Sequence, residues 1–180
     1  MMAQLQTLSL TDELTGLYNR RGFTTLASQQ LMLAERSGTP IMVLFVDLDG
    51  LKWVNDNLGH GEGDAYLLET AEVLRDTFRA SDVLARIGGD EFAVLGIGTG
   101  DSAARKLLER LDANLQEHNE QPDRDYMLSL SIGAARFDPD EPRTVKDLLD
   151  EADERMYEEK KRRRRERNDR PGSQPLPQEV

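Results

Sequence analysis

Arg86-Ile87-Gly88-Gly89-Asp90-Glu91-Phe92-Ala93-Val94-Leu95 is the stretch on which the reading of this chain turns. Apolar segments, Val83 to Ile87 before and Phe92 to Leu95 after, flank two glycines, the pattern of a β-hairpin. The turn is expected to present Asp90 and Glu91 at its tip. Glycines let a bulky ligand approach the backbone, and paired carboxylates hold hard divalent cations through oxygen. Together these imply a metal-assisted phosphate site, although Gly-Gly-Asp-Glu is also ordinary turn chemistry.

A second acidic element lies upstream. Residues 41–46 are a continuous apolar run, as expected of a central strand buried on both faces. Asp47 and Asp49 follow, two apart, and therefore share a face if the strand stays extended. A carboxylate pair at a strand end beside a hairpin with its own carboxylates is a layout that two-metal phosphoryl transfer uses. A strand ending in solvated aspartates would look the same in isolation.

Lys52-Trp53-Val54-Asn55-Asp56-Asn57-Leu58-Gly59-His60-Gly61-Glu62-Gly63-Asp64 follows. Glycines 59, 61 and 63 predict a loop, with Asp64 capping a helix over residues 64–79 that buries Leu67, Leu68, Ala71, Leu74 and Phe78. Asn55 and Asp64 offer the carboxamide and carboxylate that pair with a guanine edge, whose two N–H donors suit a carboxylate. Loop and cap roles alone would account for them equally.

Taken together, these segments resemble the GGDEF domain, the catalytic domain of diguanylate cyclases, over roughly residues 8–164. Asp12-Glu13-Leu14-Thr15-Gly16-Leu17-Tyr18-Asn19-Arg20-Arg21 matches the opening motif, and Asp47 to Asp64 the metal and guanine segment. Gly88 to Phe92 is the signature, and Ala152-Asp153 with Tyr157 and Lys160 matches the final helix. Four motifs in register are specific where one would be weak. The resemblance implies an α+β, palm-like fold: a mostly antiparallel five-stranded sheet flanked by helices, with a ferredoxin-like core of the nucleotidyl cyclase type.

The implied reaction condenses two GTP molecules into cyclic di-GMP with release of two pyrophosphates, in a homodimer because each protomer presents one GTP. By the same resemblance Asp47, the Leu48 carbonyl, Asp90 and Glu91 hold Mg²⁺, or Mn²⁺ in its place, and Asp90 and Glu91 are the catalytic residues, Asp90 assisting deprotonation of the attacking hydroxyl. Asn55 and Asp64 read guanine, Lys52 and His60 line the nucleotide, and Lys160 and Arg164 meet phosphate. A glycine-arginine-asparagine sequence expected after that lysine is altered here, with Arg163 in place of the glycine, so which arginine of residues 162–167 contacts phosphate stays open. Arg79 and Asp82, five residues before the signature, match the Arg-x-x-Asp element that binds the inhibitory product, and Arg110 adds a contact by spacing. A domain that has lost turnover and serves as a GTP or cyclic di-GMP receptor is the alternative.

Composition bounds the rest. At 180 residues the chain fits one domain with a real core. There are no cysteines, so disulfide and thiolate-metal scaffolds are excluded. The formal charge of −11 argues against general nucleic-acid binding. Residues 1–159 hold 15 basic and 31 acidic residues, a net of −16, whereas residues 160–180 hold 8 basic and 3 acidic. An anionic substrate therefore needs cations and local basic groups to approach. No segment has a signal-peptide or membrane-span pattern, which points to a cytoplasmic domain whose parent protein could still be membrane-anchored.

The remaining pattern predicts helices over residues 22–35 and 102–117, a half-buried strand in which Leu128, Leu130 and Ile132 alternate with Ser129, Ser131 and Gly133, and a last helix after Pro142 with Thr144 as N-cap. Residues 1–168 read as the domain, with 1–10 ending a possible upstream signalling helix that follows a sensor or receiver. The Pro-rich residues 169–180 read as a disordered tail.

Overall fold

The computed structural model describes residues 9–168; the expectations for residues 1–8 and for the 169–180 tail lie outside them. The element order is α1 Arg20–Ser37, β1 Ile41–Leu48, α2 Leu51–Leu58, α3 His60–Thr77, β2 Val83–Arg86, β3 Glu91–Ile97, α4 Asp101–Asn119, β4 Leu130–Phe137 and α5 Val145–Asn168. One antiparallel sheet in the order β2-β3-β1-β4 forms the centre. β1 and β2 run parallel with β3 between them, the split βαβ arrangement of the expected ferredoxin-like core.

The sheet has four strands, not the expected five. Beyond β2 the chain makes a single parallel bridge from Tyr18 to Ala85, through Tyr18 N–H to the Leu84 carbonyl (3.1 Å) and Arg86 N–H to the Tyr18 carbonyl (2.8 Å). The contact cannot grow into a strand because turns stand on both sides. Gly16 lies in the left-handed region (φ 69°), and Asn19 already caps α1 by accepting from Gly22 N–H at 2.9 Å.

Helices cover both faces of the sheet, so β1 is apolar at consecutive positions. Ile41, Val43 and Phe45 pack with Phe23, Ala27 and Leu31 of α1 and Val145, Leu148, Ala152 and Met156 of α5. Met42, Leu44, Val46 and Leu48 pack on the other face with Val54, Tyr66, Leu67, Ala71, Leu74 and Leu111. Each such side chain contributes about 1.5–3 kcal/mol of burial, which pins the register and with it the polar residues at the ends of the strands. Thr144 caps α5 as expected, its hydroxyl accepting from Asp147 N–H (3.1 Å) while Asp147 accepts from Thr144 N–H (3.2 Å).

Three local expectations are corrected. The Gly59–Gly63 loop is instead a helical hairpin. Lys52 to Asn57 lie in α2, only Gly59 (φ 96°) breaks the path, and Gly61 and Gly63 are helical. Asp64 therefore sits in the second turn of α3 and caps nothing, while Leu68 of the expected stripe is 39% exposed. β4 is not half-buried in simple alternation, because Ser131 is buried and Gly133 lies beneath α5, so close that a Cβ there would stand 1.9 Å from the Ala152 carbonyl oxygen. Finally, Glu91 opens β3 rather than sitting at the hairpin tip, which is formed by residues 87–90. Among the described residues no helix is long and apolar enough to cross a membrane.

Candidate functional site

The two acidic clusters meet at one end of the sheet. Leu48 N–H donates to the Asp90 carbonyl at 2.9 Å, and Asp47 is the cross-strand partner of Glu91 on one side and Ser131 on the other. Cross-strand partners share a face, so Asp47 and Glu91 point to the α1/α5 side. The hairpin is held from outside by the opening motif. Asp12 accepts from Thr15 N–H and hydroxyl (2.9 and 2.7 Å) and pairs with Arg86 at 3.3 Å, while Arg86 also donates to the Gly89 carbonyl (2.9 Å). Arg20 donates to the Ile87 carbonyl (3.0 Å) and lies 3.9 Å from Glu91. Asp12, Arg20 and Arg86 are thus structural partners of the hairpin, a role visible only once residues 12 and 86 are brought together.

Asp47 is the electrostatic centre. Its side chain is 15% exposed, Oδ1 is buried with no hydrogen-bond partner, and Oδ2 lies 3.4 Å from Lys160 Nζ. Burial, then the negative charge of Asp90, push its pKa up to about 6 against the opposing pull of Lys160. Glu91 is also raised, by burial first and Asp90 next, with Arg20 opposing. A carboxylate with an orphaned buried oxygen facing a second carboxylate is short of positive charge, and a hard divalent cation supplies it. The donor set therefore fits a metal. Among the described residues, however, no three acidic or imidazole side chains are gathered into a ready-made ligand cluster.

Lys160 reaches back from α5 to lie 3.7 Å from Asp49 as well as beside Asp47. Asp49 is fixed by the hydroxyls of Ser129 (2.9 Å) and Ser131 (2.9 Å). Sequence reading paired Asp49 with Asp47 but missed both serines, whose alternation with leucines looked like a solvent face. Arg163, in the position of the expected glycine, donates to the Leu130 carbonyl (2.7 Å) and pairs with Glu159 (2.9 Å), whereas Arg164 is exposed.

The nucleotide-reading candidates lie on the helical hairpin α2/α3. Asn55 leans on Gly63, where a Cβ would stand 1.8 Å from Asn55 Oδ1, so a bare backbone at Gly63 seats the carboxamide beside Asp64. Lys52, His60 and Asp64 are exposed. Arg79, Asp82 and Arg110 form a separate group at the C-terminal end of α3. Arg79 is exposed; Asp82 accepts from Arg79 N–H (2.9 Å) and Ile97 N–H (3.1 Å), and Arg110 donates to the Thr77 carbonyl. Asp82 and Arg110 therefore already have structural partners.

A model of the family described as diguanylate cyclase, GGDEF domain, matches residues 9–166. The diguanylate cyclase DosC of Escherichia coli (strain K12) is 37% identical over 157 residues, which cover 85% of this chain and 33% of DosC. The chain thus spans about a third of the length of that relative. A sensory box/GGDEF family protein from Caulobacter crescentus superposes with a TM-score of 0.76 at 35% identity, covering 86% of this chain and 99% of that one. The GGDEF domain of DgcB from the same organism, solved in complex with c-di-GMP, has a TM-score of 0.76 at 28% identity, covering 85% of this chain and 91% of that one. With a family match over residues 9–166 and a relative 37% identical across most of the chain, the chain belongs to the GGDEF domain family of diguanylate cyclases.

Proposed function

We propose that this chain is a diguanylate cyclase domain, spanning residues 1–168, that joins two GTP molecules into cyclic di-GMP. The observation that carries this reading is the Asp47 carboxylate, half-buried with one oxygen unpartnered, within the field of Asp90 and opposite Glu91. A receptor that only binds nucleotide has no need to keep so costly a charge. In each step the 3′-hydroxyl of one GTP attacks the α-phosphorus of the other. The new O–P bond forms as the bond to the pyrophosphate oxygen breaks, pyrophosphate leaves with the electron pair, and Asp90 accepts the hydroxyl proton.

Asp47, the Leu48 carbonyl and Asp90, with Glu91 for a second ion, would hold Mg²⁺ (or Mn²⁺), which supplies charge neutralisation on the triphosphate. Lys160 and Arg164 meet the phosphates, Asn55 and Asp64 select guanine, and Lys52 and His60 line the nucleotide. Two protomers must face each other, since each contributes one bound GTP. Product returning to Arg79 and Asp82, with Arg110, slows turnover. Relatives about three times as long leave room for a sensor or receiver that governs dimerisation in a cytoplasmic setting.

The purified chain with GTP and Mg²⁺ is expected to release cyclic di-GMP, resolved by chromatography, at a rate per protomer that rises with protein concentration. Asp90→Asn is expected to stop turnover while leaving cyclic di-GMP binding intact. Binding of GTP with no product at any protein concentration would refute the cyclase reading in favour of a receptor.

A further inference from the structure

The ladder between β1 and β4 has an unusual final rung. Leu48 pairs with Leu130, so Asp49 and Ser129 form the next pair, and Asp49 N–H donates normally to the Ser129 carbonyl at 2.8 Å. The return bond, from Ser129 N–H to the Asp49 carbonyl, would complete an ordinary antiparallel pair. Instead the Tyr66 hydroxyl stands between them: Ser129 N–H donates to Tyr66 Oη at 2.9 Å, and Tyr66 Oη donates to the Asp49 carbonyl at 2.7 Å. The hydroxyl thus takes the place of the return bond and joins the Ser129 amide to the Asp49 carbonyl, while the other bond of the pair keeps its normal length.

We propose that Tyr66 is a positioning residue for the metal end of the site, bridging the last rung between β1 and β4 from which Asp49 and Lys160 are aimed. This inference rests on the cyclase reading above. The Asp49 carboxylate, steadied by Ser129 and Ser131, lies 3.7 Å from Lys160, and Lys160 in turn occupies Asp47 Oδ2 and leaves Oδ1 free. Losing the bridge would leave the Asp49 carbonyl and the Ser129 amide to find new partners and re-aim all three groups.

The tyrosine is well braced for this task. It is 1% exposed, and its ring lies 5.3 Å from that of Tyr126, which donates to Glu69 (3.0 Å), itself bound by His118 (2.8 Å) and Arg124. Burial first, then the nearby negative charges of Asp49 and Glu69, push the hydroxyl up to about 12 although Ser129 N–H opposes them, so it remains a donor at any working pH. Groups hydrogen-bonded to metal ligands typically change metal affinity by 10–100-fold, and Tyr66, which acts through Asp49 and Lys160, is set at the low end of that range.

The test measures Mn²⁺ binding by electron paramagnetic resonance in the presence of a non-hydrolysable GTP analogue, alongside the Mg²⁺ half-saturation of turnover. Tyr66→Phe is expected to weaken both about tenfold with a smaller change in the KM for GTP, whereas Tyr126→Phe, which loses a hydroxyl one ring away from the rung, leaves metal affinity unchanged. Unaltered Mn²⁺ affinity in folded Y66F, or an equal loss in Y126F, overturns the proposal. A second measurement needs no variant: by reciprocity, saturating metal and analogue must slow hydrogen exchange of the Ser129 amide more than that of amides in α4, and equal slowing also overturns it. A wild-type chain that binds the analogue but no Mn²⁺ removes the cyclase reading instead, and the inference falls with it.

Discussion

Replacing Asp47 by Asn should make this protein more stable while removing its activity. The ionised carboxylate is 15% exposed and has a buried oxygen with no partner, and its pKa rises from 3.8 to about 6. A shift of about 2 units corresponds to about 3 kcal/mol disfavouring the charged native form. That figure already includes the opposing pull of Lys160, and the neutral amide escapes most of it, so a net gain of about 2 kcal/mol is expected, or roughly 4–8 °C in Tm for a chain of this size.

The pH dependence follows from the direction of the shift. Because Asp47 binds its proton more tightly in the native state than in the unfolded chain, its own contribution to stability falls as pH rises from about 4 to about 6 and is level above that. The advantage of D47N should accordingly be absent near pH 4, grow across that window and hold at pH 7.5. Thermal melts of both proteins across this range, with chelator present, measure it; added Mg²⁺ should narrow the gap by stabilising only the wild type. An advantage that is the same at pH 4 and 7.5, or a variant less stable than wild type, would refute the argument that an uncompensated charge is stored at this position.

Two substitutions test how the backbone shapes the site. Gly133→Ala places a methyl 1.9 Å from the Ala152 carbonyl oxygen and 2.3 Å from Met156 N, both backbone atoms of α5. The helix must move by roughly 1 Å or more, costing about 1–3 kcal/mol in a denaturant melt and displacing Lys160 enough to lower kcat by about tenfold or more; a silent substitution would mean that α5 is not seated as described. Gly63→Ala should separate stability from recognition. Alanine favours the helix by about 1 kcal/mol but ejects the Asn55 carboxamide, so melting should hold or rise while the KM for GTP increases about tenfold and discrimination against ATP declines. Unchanged discrimination would remove Asn55 from guanine reading.

Some of this molecule was legible in its residues and some was not, and the division has a physical basis. Residues 41–46 read as a doubly buried strand because six apolar positions in a row leave no solvent face, and the hairpin at residues 88–89 announced itself through glycine and flanking periodicity. The helices α1, α4 and α5, and the Thr144 cap, are equally local signals. Glycines 61 and 63 misled, since their value is not flexibility but the absence of a Cβ: Gly63 sits in a helix because Asn55 needs the space, and only packing of α2 on α3 reveals that. β4 misled for a similar reason, with Gly133 packed under Ala152 and Met156 of α5 and Ser131 buried where its hydroxyl meets Asp49.

The sequence by itself determined which chemistry is available: carboxylates at a strand end and a hairpin, a lysine on the last helix, and a family to which those motifs belong. Only the tertiary structure decided how that chemistry is poised. The unpartnered oxygen of Asp47, the salt bridge from Asp12 to Arg86 and the tyrosine inserted between Asp49 and Ser129 all join residues far apart in the chain. Burial, electrostatic coupling and hydrogen-bond satisfaction are properties of positions in space, so no local run of residues could have declared them.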